Sequence, residues 1–212
     1  MQVTVLGATG RTGVPLVGQA LARGHSVRAL VRSHDKAARL PADDRLTLVE
    51  GDLLDAGAVS KVIEGSAAVL NVAGPGKGSP PGLQQRAIGL IIAAMTEHGV
   101  DRLITLTGAG VRDEGDQPKV IDRLFHAALK TVQGQLLADS EAYVRAVRDS
   151  GLRWTVVRAP RLVDAPVQGR YRVVRHVGAA SGTKLARTDL ATFILDELDG
   201  GTYVGAMPVV SA

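Results

Sequence analysis

The chain has 212 residues, a formal net charge of +4 and a calculated isoelectric point near 9.7; 45% of residues are hydrophobic and 22% charged. These values exclude a disordered, collagenous or membrane-embedded chain and leave a globular one long enough for a full core. Cysteine is absent, which excludes disulfides, thiolate nucleophiles, iron–sulfur clusters and Cys-based zinc sites. Aromatics are only 3%, so Leu, Val, Ile and Ala must fill the interior.

The first stretch carries the strongest signal. The β-branched run Gln2–Leu6 predicts a strand, with no basic leader or cleavage site before it. Three glycines spaced three apart follow (Gly7, Gly10 and Gly13), and then an apolar helical pattern of Val14, Leu16, Val17, Ala20 and Leu21 over residues 12–23. Strand, glycine turn and helix make a phosphate cradle. Gly7 allows a sharp exit from the strand, Gly10 leaves its backbone open to a pyrophosphate, and Gly13 allows close helix packing. Thr9, Arg11 and Thr12 complete the turn, and Pro15 sits where the first helical turn needs no N–H. The helix start offers unpaired N–H groups and a partial positive charge to an anion. The spacing G-x-x-G-x-x-G differs from the usual G-x-G-x-x-G; its place between strand and helix carries the reading.

Strands and helices then alternate. Strand two is expected at 26–32, a short helix at 35–40 and strand three at 46–50. A helix capped by Asp55 ends at Gly65. The apolar run 67–72 predicts a strand buried on both faces. A Gly/Pro/Ser loop at 75–81 precedes a helix over 83–98 with Leu83, Ala87, Leu90, Ile91, Ala94 and Met95 at helical spacing. Its stretch 88–95 is the longest apolar run and too short to cross a bilayer; a cytoplasmic location, with no membrane partner, is expected. Strand five is placed at 103–107, a helical region kinked or broken near Gly134 at 119–150, and strand six at 154–158. Beyond 159 the alternation fades: 171–176 is strand-like, Thr188-Asp189 is read as a cap for a helix through Phe193, Ile194 and Leu198, and 202–204 as a last strand. Such alternation predicts an α/β fold with a doubly wound parallel sheet and its ligand at the carboxyl ends of strands one and four. One domain is expected over 1–212, with 159–212 a small C-terminal lobe completing the substrate side.

The second strand speaks to the cofactor. An acidic residue at its tip would bond an adenosine ribose 2′-hydroxyl. Here the tip reads Val31-Arg32-Ser33, and a guanidinium there attracts a 2′-phosphate. The expected cofactor is NADP(H), with Arg11 a second cation. Asp52 and Leu53 after strand three face the adenine position, where Asp52 either accepts from the adenine amino group or caps the next turn. Ala73 and Gly74 leave strand four at the switch point, where small residues admit the cofactor.

With Gly7-Ala8-Thr9-Gly10-Arg11-Thr12-Gly13, Ala29-Leu30-Val31-Arg32, Gly51-Asp52-Leu53-Leu54-Asp55, His98-Gly99-Val100-Asp101-Arg102 and the run from Ser150 through Trp154 to Pro160 in view, the chain resembles the atypical short-chain dehydrogenases/reductases. Within them it is similar to the NmrA-like proteins and the small biliverdin/flavin reductases. The resemblance implies a Rossmann-like fold, NADP(H) binding and reduction of flavins, quinones or related conjugated acceptors, with Pro160 and Arg161 near the nicotinamide. Typical members use a Tyr with a Lys four residues on. Here Val147 follows Tyr143 at that distance and Arg175 follows Tyr171, with no Tyr between Thr107 and Tyr143. The flavin reductases' Ser after strand five is replaced by Gly108.

Thr107, ending strand five, is the candidate catalytic residue, as a hydrogen-bond partner for the nicotinamide amide or a substrate oxygen. Arg123 and Lys130 read as solvated. His25, His34, His98, His126 and His176 are scattered, so no metal site is expected. Ser140 and Ser181 lack a nucleophile-elbow context. Arg170 and Arg172 share a strand face, which is either solvated or a hold on an anionic substrate. Residues 145–187 carry ten Arg or Lys against Asp149 and Asp164, a field that suits an anionic ligand; no nucleic-acid motif accompanies it. Two functions follow: an NADPH-dependent reductase of a conjugated small-molecule acceptor, or a non-catalytic NmrA-like NADP(H) sensor acting on a protein partner. A nucleotide-sugar epimerase or dehydratase is disfavoured by the short C-terminal part.

Overall fold

The structure is a computed structural model; it describes residues 1–76, 78–117, 120–178 and 182–212, with the backbone alone described over 120–133. In chain order the elements are β1 (Gln2–Leu6), α1 (Gly13–Ala22), β2 (Ser26–Val31), α2 (His34–Ala37), β3 (Leu46–Glu50), α3 (Ala56–Ile63), β4 (Ala68–Asn71), α4 (Leu83–Glu97), β5 (Arg102–Gly108), α5 (Val120–Arg148), β6 (Arg153–Ala159), β7 (Arg161–Val163), β8 (Arg172–Val174), β9 (Lys184–Ala186), α6 (Arg187–Gly200) and β10 (Val209–Ser211). Among the described residues one sheet has the order β3-β2-β1-β4-β5-β6-β10-β8, and β7 pairs with β9. All neighbours in the large sheet are parallel except β8, which runs antiparallel to β10 at the edge. The order reverses between β1 and β4, the place where a doubly wound sheet opens a crevice.

Side-chain alternation along each strand feeds two cores, one per face. Val3, Val5, Leu70, Ile104 and Val157 meet Leu16, Val17 and Ala20 of α1 and Leu190, Phe193 and Ile194 of α6. Val69, Leu103 and Val156 meet Val59 and Val62 of α3, Ile88 and Ile91 of α4, and Val144 and Val147 of α5. β4 is buried throughout, as its apolar run predicts. Asp55 caps α3 by accepting from the N–H groups of Gly57 and Ala58 at 2.9 and 3.2 Å.

The departures lie in the second half. α5 runs unbroken through Gly134, because the helix closes its backbone bonds whether or not a side chain is present. Thr188 and Asp189 do not cap α6. The Thr188 hydroxyl donates to Ala165 O, and Asp189 accepts from the N–H groups of Gln168 and Gly169; both hold the loop over the helix start. Residues 202–204 form turns, and the last strand is β10. Arg172 belongs to β8 but Arg170 precedes it. Tyr171 lies edge-on to Phe193, with its hydroxyl donating to Asp196 at 2.8 Å. Arg123, Lys130 and Ser181 lie outside the described side chains. No described helix is long and apolar enough to cross a membrane.

One buried ion pair joins α6 to the sheet. Arg102, opening β5, donates to Glu197 Oε1 at 2.8 Å, with side-chain exposures of 6% and 1%. Burial pushes the guanidinium down from its usual range, against the pull of Glu197. The same Glu197 oxygen accepts from Thr155 Oγ1 and the Tyr203 N–H at 3.0 Å each. Removing one charge strands the other in the interior, at a cost of about 3–5 kcal/mol. Glu197→Gln is therefore expected to lower the melting temperature by roughly 6–20 °C for a domain of this size, measured by calorimetry.

Candidate functional site

The cradle begins where β1 ends. Gly7 takes φ +81°, a left-handed backbone that side chains resist, and a Cβ on it would lie 2.7 Å from the backbone of Ala73. A Cβ on Gly13 would lie 2.1 Å from Gly7 O. The turn is thus folded against itself and against the end of β4, and neither position admits a side chain. Gly10 N–H donates to Gly7 O and Gly10 O accepts from Val14 N–H, at 2.9 and 3.0 Å. The N–H groups of Arg11, Thr12 and Gly13 have no such partner among the described residues. They are the open donors of the first turn of α1, whose side-chain cap is missing at Thr12.

In front of this turn lies a cleft of about 770 Å³ along the carboxyl ends of β2, β1 and β4. Gly7, Thr9 and Gly10 form its floor, Ala73 and Gly74 one wall, and Asp52 and Leu53 the other. Asp52 Oδ1 also accepts from Leu54 N–H at 2.9 Å, so it caps its turn and faces the cleft together. Arg32, at the tip of β2, is exposed, lines the cleft and has no ion-pair partner among the described residues. Lys36 and Arg39 stand beside it on the same rim, with Asp35. Sequence reasoning missed these two cations. Lys36 lies in the short helix α2 and Arg39 just after it, so their place on the rim comes from the fold rather than from a sequence periodicity.

Other predicted residues stand elsewhere. Arg11 turns away from the cleft and lies 3.7 Å from Asp164, both largely exposed. Thr12 and Gly13 are buried behind the turn. Pro160 is half-buried between β6 and β7 and does not line the cleft. Thr107 is buried near the end of β5, and its hydroxyl has no hydrogen-bond partner among the described residues, an uncommon condition for a buried polar group.

Beneath Thr107 on the same face, Tyr143 of α5 reaches β4 and β5. Its hydroxyl is hydrogen-bonded to Thr105 Oγ1 and accepts from Asn71 Nδ2 at 3.1 Å. Burial pushes the phenol up to about 12, with the two hydrogen bonds opposing. A sealed phenol that holds its proton so firmly is a pin between helix and sheet, not an acid for a ligand. Among the described residues no group of three His, Asp or Glu is placed to hold a metal.

The open helix start, the side-chain-free turn and the cationic rim fit a dinucleotide with an extra phosphate on its adenosine ribose. A Rossmann-like sheet with this cleft defines a nucleotide-binding α/β protein. The model of the NAD(P)H-binding family matches residues 7–200, and the chain belongs to that family. It is 34% identical over 195 residues to a 3-diazoavenalumate denitrifying reductase of a Streptomyces species; the match covers 92% of this chain and 55% of that protein. The chain thus spans about half the length of that relative. Among solved structures it resembles a short-chain dehydrogenase/reductase of Veillonella parvula in complex with NADP, with a TM-score of 0.83, 17% identity, and coverage of 100% of this chain and 94% of the other. It also resembles an anaerobilin reductase of Escherichia coli O157:H7, with a TM-score of 0.80, 18% identity, and coverage of 100% and 97%. At these identities the structures speak to the fold alone.

The Tyr143 pin gives a direct expectation. Tyr143→Phe should lose about 1–2 kcal/mol of stability through its missing hydrogen bonds. In wild type the raised phenol stabilises fully below pH ~10 and loses that contribution as pH rises toward its folded value. The variant should therefore lack this alkaline component in urea melts between pH 9 and 12, while NADPH binding stays within twofold of wild type.

Proposed function

We propose that the protein is an NADPH-dependent reductase that passes hydride to a conjugated, electron-poor acceptor such as a flavin or quinone. The observation that carries the cofactor half is Arg32, an exposed guanidinium at the tip of β2 with no ion-pair partner among the described residues, joined on the rim by Lys36 and Arg39. A 2′-phosphate satisfies all three, whereas a ribose hydroxyl satisfies none. The N–H groups of Arg11, Thr12 and Gly13 hold the diphosphate at the positive end of α1. Asp52 and Leu53 border the adenine, and Ala73 and Gly74 leave room for the ribose beyond. Pro160 and Arg161 stand on the nicotinamide side, in keeping with the family resemblance.

When bound, the reduced nicotinamide supplies the hydride. Thr107 offers its free hydroxyl to the carboxamide or to an acceptor oxygen and fixes orientation. The chain's remaining contribution is to hold two flat rings together and exclude water between them. Tyr143 is sealed and offers no proton, which suits an acceptor that takes its proton from solvent. The reductase names among the relatives support this chemistry, and the Streptomyces relative's name adds a diazo compound to the acceptors worth trying.

Calorimetric titration should find NADPH bound at least tenfold more tightly than NADH. Arg32→Ala should remove most of that preference, since one charge-assisted bidentate contact accounts for about 1.5–3 kcal/mol. A clear NADH preference in wild type would sink the cofactor assignment. Loss of NADPH absorbance at 340 nm with FMN, menadione or an aryl diazonium salt tests the reaction. Tight NADPH binding with no turnover on any of them would move the protein to the other class, a redox sensor.

A further inference from the structure

Arg158, on β6, is fully buried. Its three side-chain nitrogens reach three different segments. Nε donates to Met207 O at 2.8 Å, ahead of β10, and Nη2 donates to Arg175 O at 3.0 Å, after β8. Nη1 meets Asp116 Oδ2 at 2.6 Å and Val111 O at 3.4 Å, both in the loop after β5. Asp116 is engaged just as fully. Its Oδ2 also accepts from Asp113 N–H at 2.9 Å and its Oδ1 from Val177 N–H at 2.8 Å. Gln117 N–H adds a bond to Val177 O at 3.0 Å. Loop 109–117 and segment 175–177 are therefore one body, riveted through a single ion pair. Burial would push the Asp116 carboxyl up, but the bonds from Arg158 and the two N–H groups outweigh it and hold the group below the usual carboxylate range.

The position of this body gives it a function. Thr107 and Arg158 are partners in the parallel β5–β6 register, so their side chains stand on one face. The loop leaves β5 directly after Thr107 and Gly108. It then turns through the Val111 N–H to Gly108 O bond and returns to that face. None of residues 108–117 or 172–178 lines the dinucleotide cleft. The riveted body thus follows directly on Thr107, whose buried hydroxyl has no hydrogen-bond partner among the described residues, and is separate from the cofactor's floor and walls.

We propose that Asp116 is a positioning residue for the acceptor: through Arg158 it sets the wall beside Thr107 against which the acceptor lies, and leaves cofactor binding untouched. This rests on the reductase reading above. A second contact supports the interlock. Gly115 takes φ +88°, and a Cβ on it would lie 2.9 Å from the His176 imidazole, so this ring covers the glycine with no space between.

The test compares wild type with Asp116→Asn, Asp116→Glu and Gly115→Ala. The last displaces the same loop without touching the ion pair and serves if Asp116→Asn does not fold. The readouts are the NADPH Kd by titration and the acceptor KM and kcat with FMN, menadione or an aryl diazonium salt, whichever wild type reduces. Asp116→Asn and Gly115→Ala are expected to raise the acceptor KM tenfold or more. The NADPH Kd should stay within twofold, and Asp116→Glu should recover part of the loss. An unchanged KM in folded variants overturns the inference and leaves the reductase reading standing. Equal loss of NADPH binding also overturns it, because the pair would then be general scaffold. If wild type binds NADPH but reduces none of FMN, menadione and an aryl diazonium salt, both readings fall, and wild type alone shows it.

Discussion

The end of β1 and the end of β4 approach so closely that no side chain fits between them. Gly7 meets the backbone of Ala73, and Gly13 meets the carbonyl of Gly7. This contact turns the chain out of the central strand and aims the start of α1 along the sheet's carboxyl edge. The N–H groups of Arg11, Thr12 and Gly13, which have no backbone partner among the described residues, stand at that helix start. Replacing either glycine forces backbone to move, and the cleft has no other floor. The cationic rim, the adenine wall and the gap at Gly74 have meaning only relative to that floor.

Away from the cleft, three polar devices hold what an aromatic-poor interior holds less firmly. Arg102 and Glu197 bind α6 to β5. Tyr143 binds α5 to β4 and β5 through Asn71 and Thr105. Arg158 and Asp116 bind the late loops to β6. Each places a hydrogen-bonded polar group where a hydrophobic one is usual, and each is saturated with partners, the condition under which burial of charge is tolerated. Thr107 differs from them, a buried hydroxyl beside two of these devices that has no hydrogen-bond partner among the described residues. Its isolation next to such complete pairing is why it reads as part of a site.

The first half of the fold was legible because local rules agree there. Alternating Val3 and Val5, the capping Asp55 and the doubly buried β4 each express one periodicity or one cap, and the tertiary structure follows them. The later part was not legible because its elements are defined by distant partners. β8 and β10 are three residues each and exist through pairing with one another, which no local window reveals. Asp189 looks like a helix cap in sequence but answers to Gln168 and Gly169. The site divides likewise. Arg32 and Asp52 line the cleft because of the strand ends they follow, while the Arg11 side chain lies near Asp164, a neighbour the chain alone does not show. Lys36 and Arg39 join the rim only through the fold.

The two outer edges of the sheet have a consequence for how the protein behaves in crowded solution. β8 offers three residues of free backbone, with Arg172 exposed, and β3 is preceded by Asp43, Asp44 and Arg45 and closed by exposed Glu50. A foreign strand laid on either border would meet brevity on one side and charge on the other. The ribbon of open amides that a long parallel sheet presents is thus guarded against self-templating growth, and the chain remains free to present its cleft rather than its borders to whatever it meets.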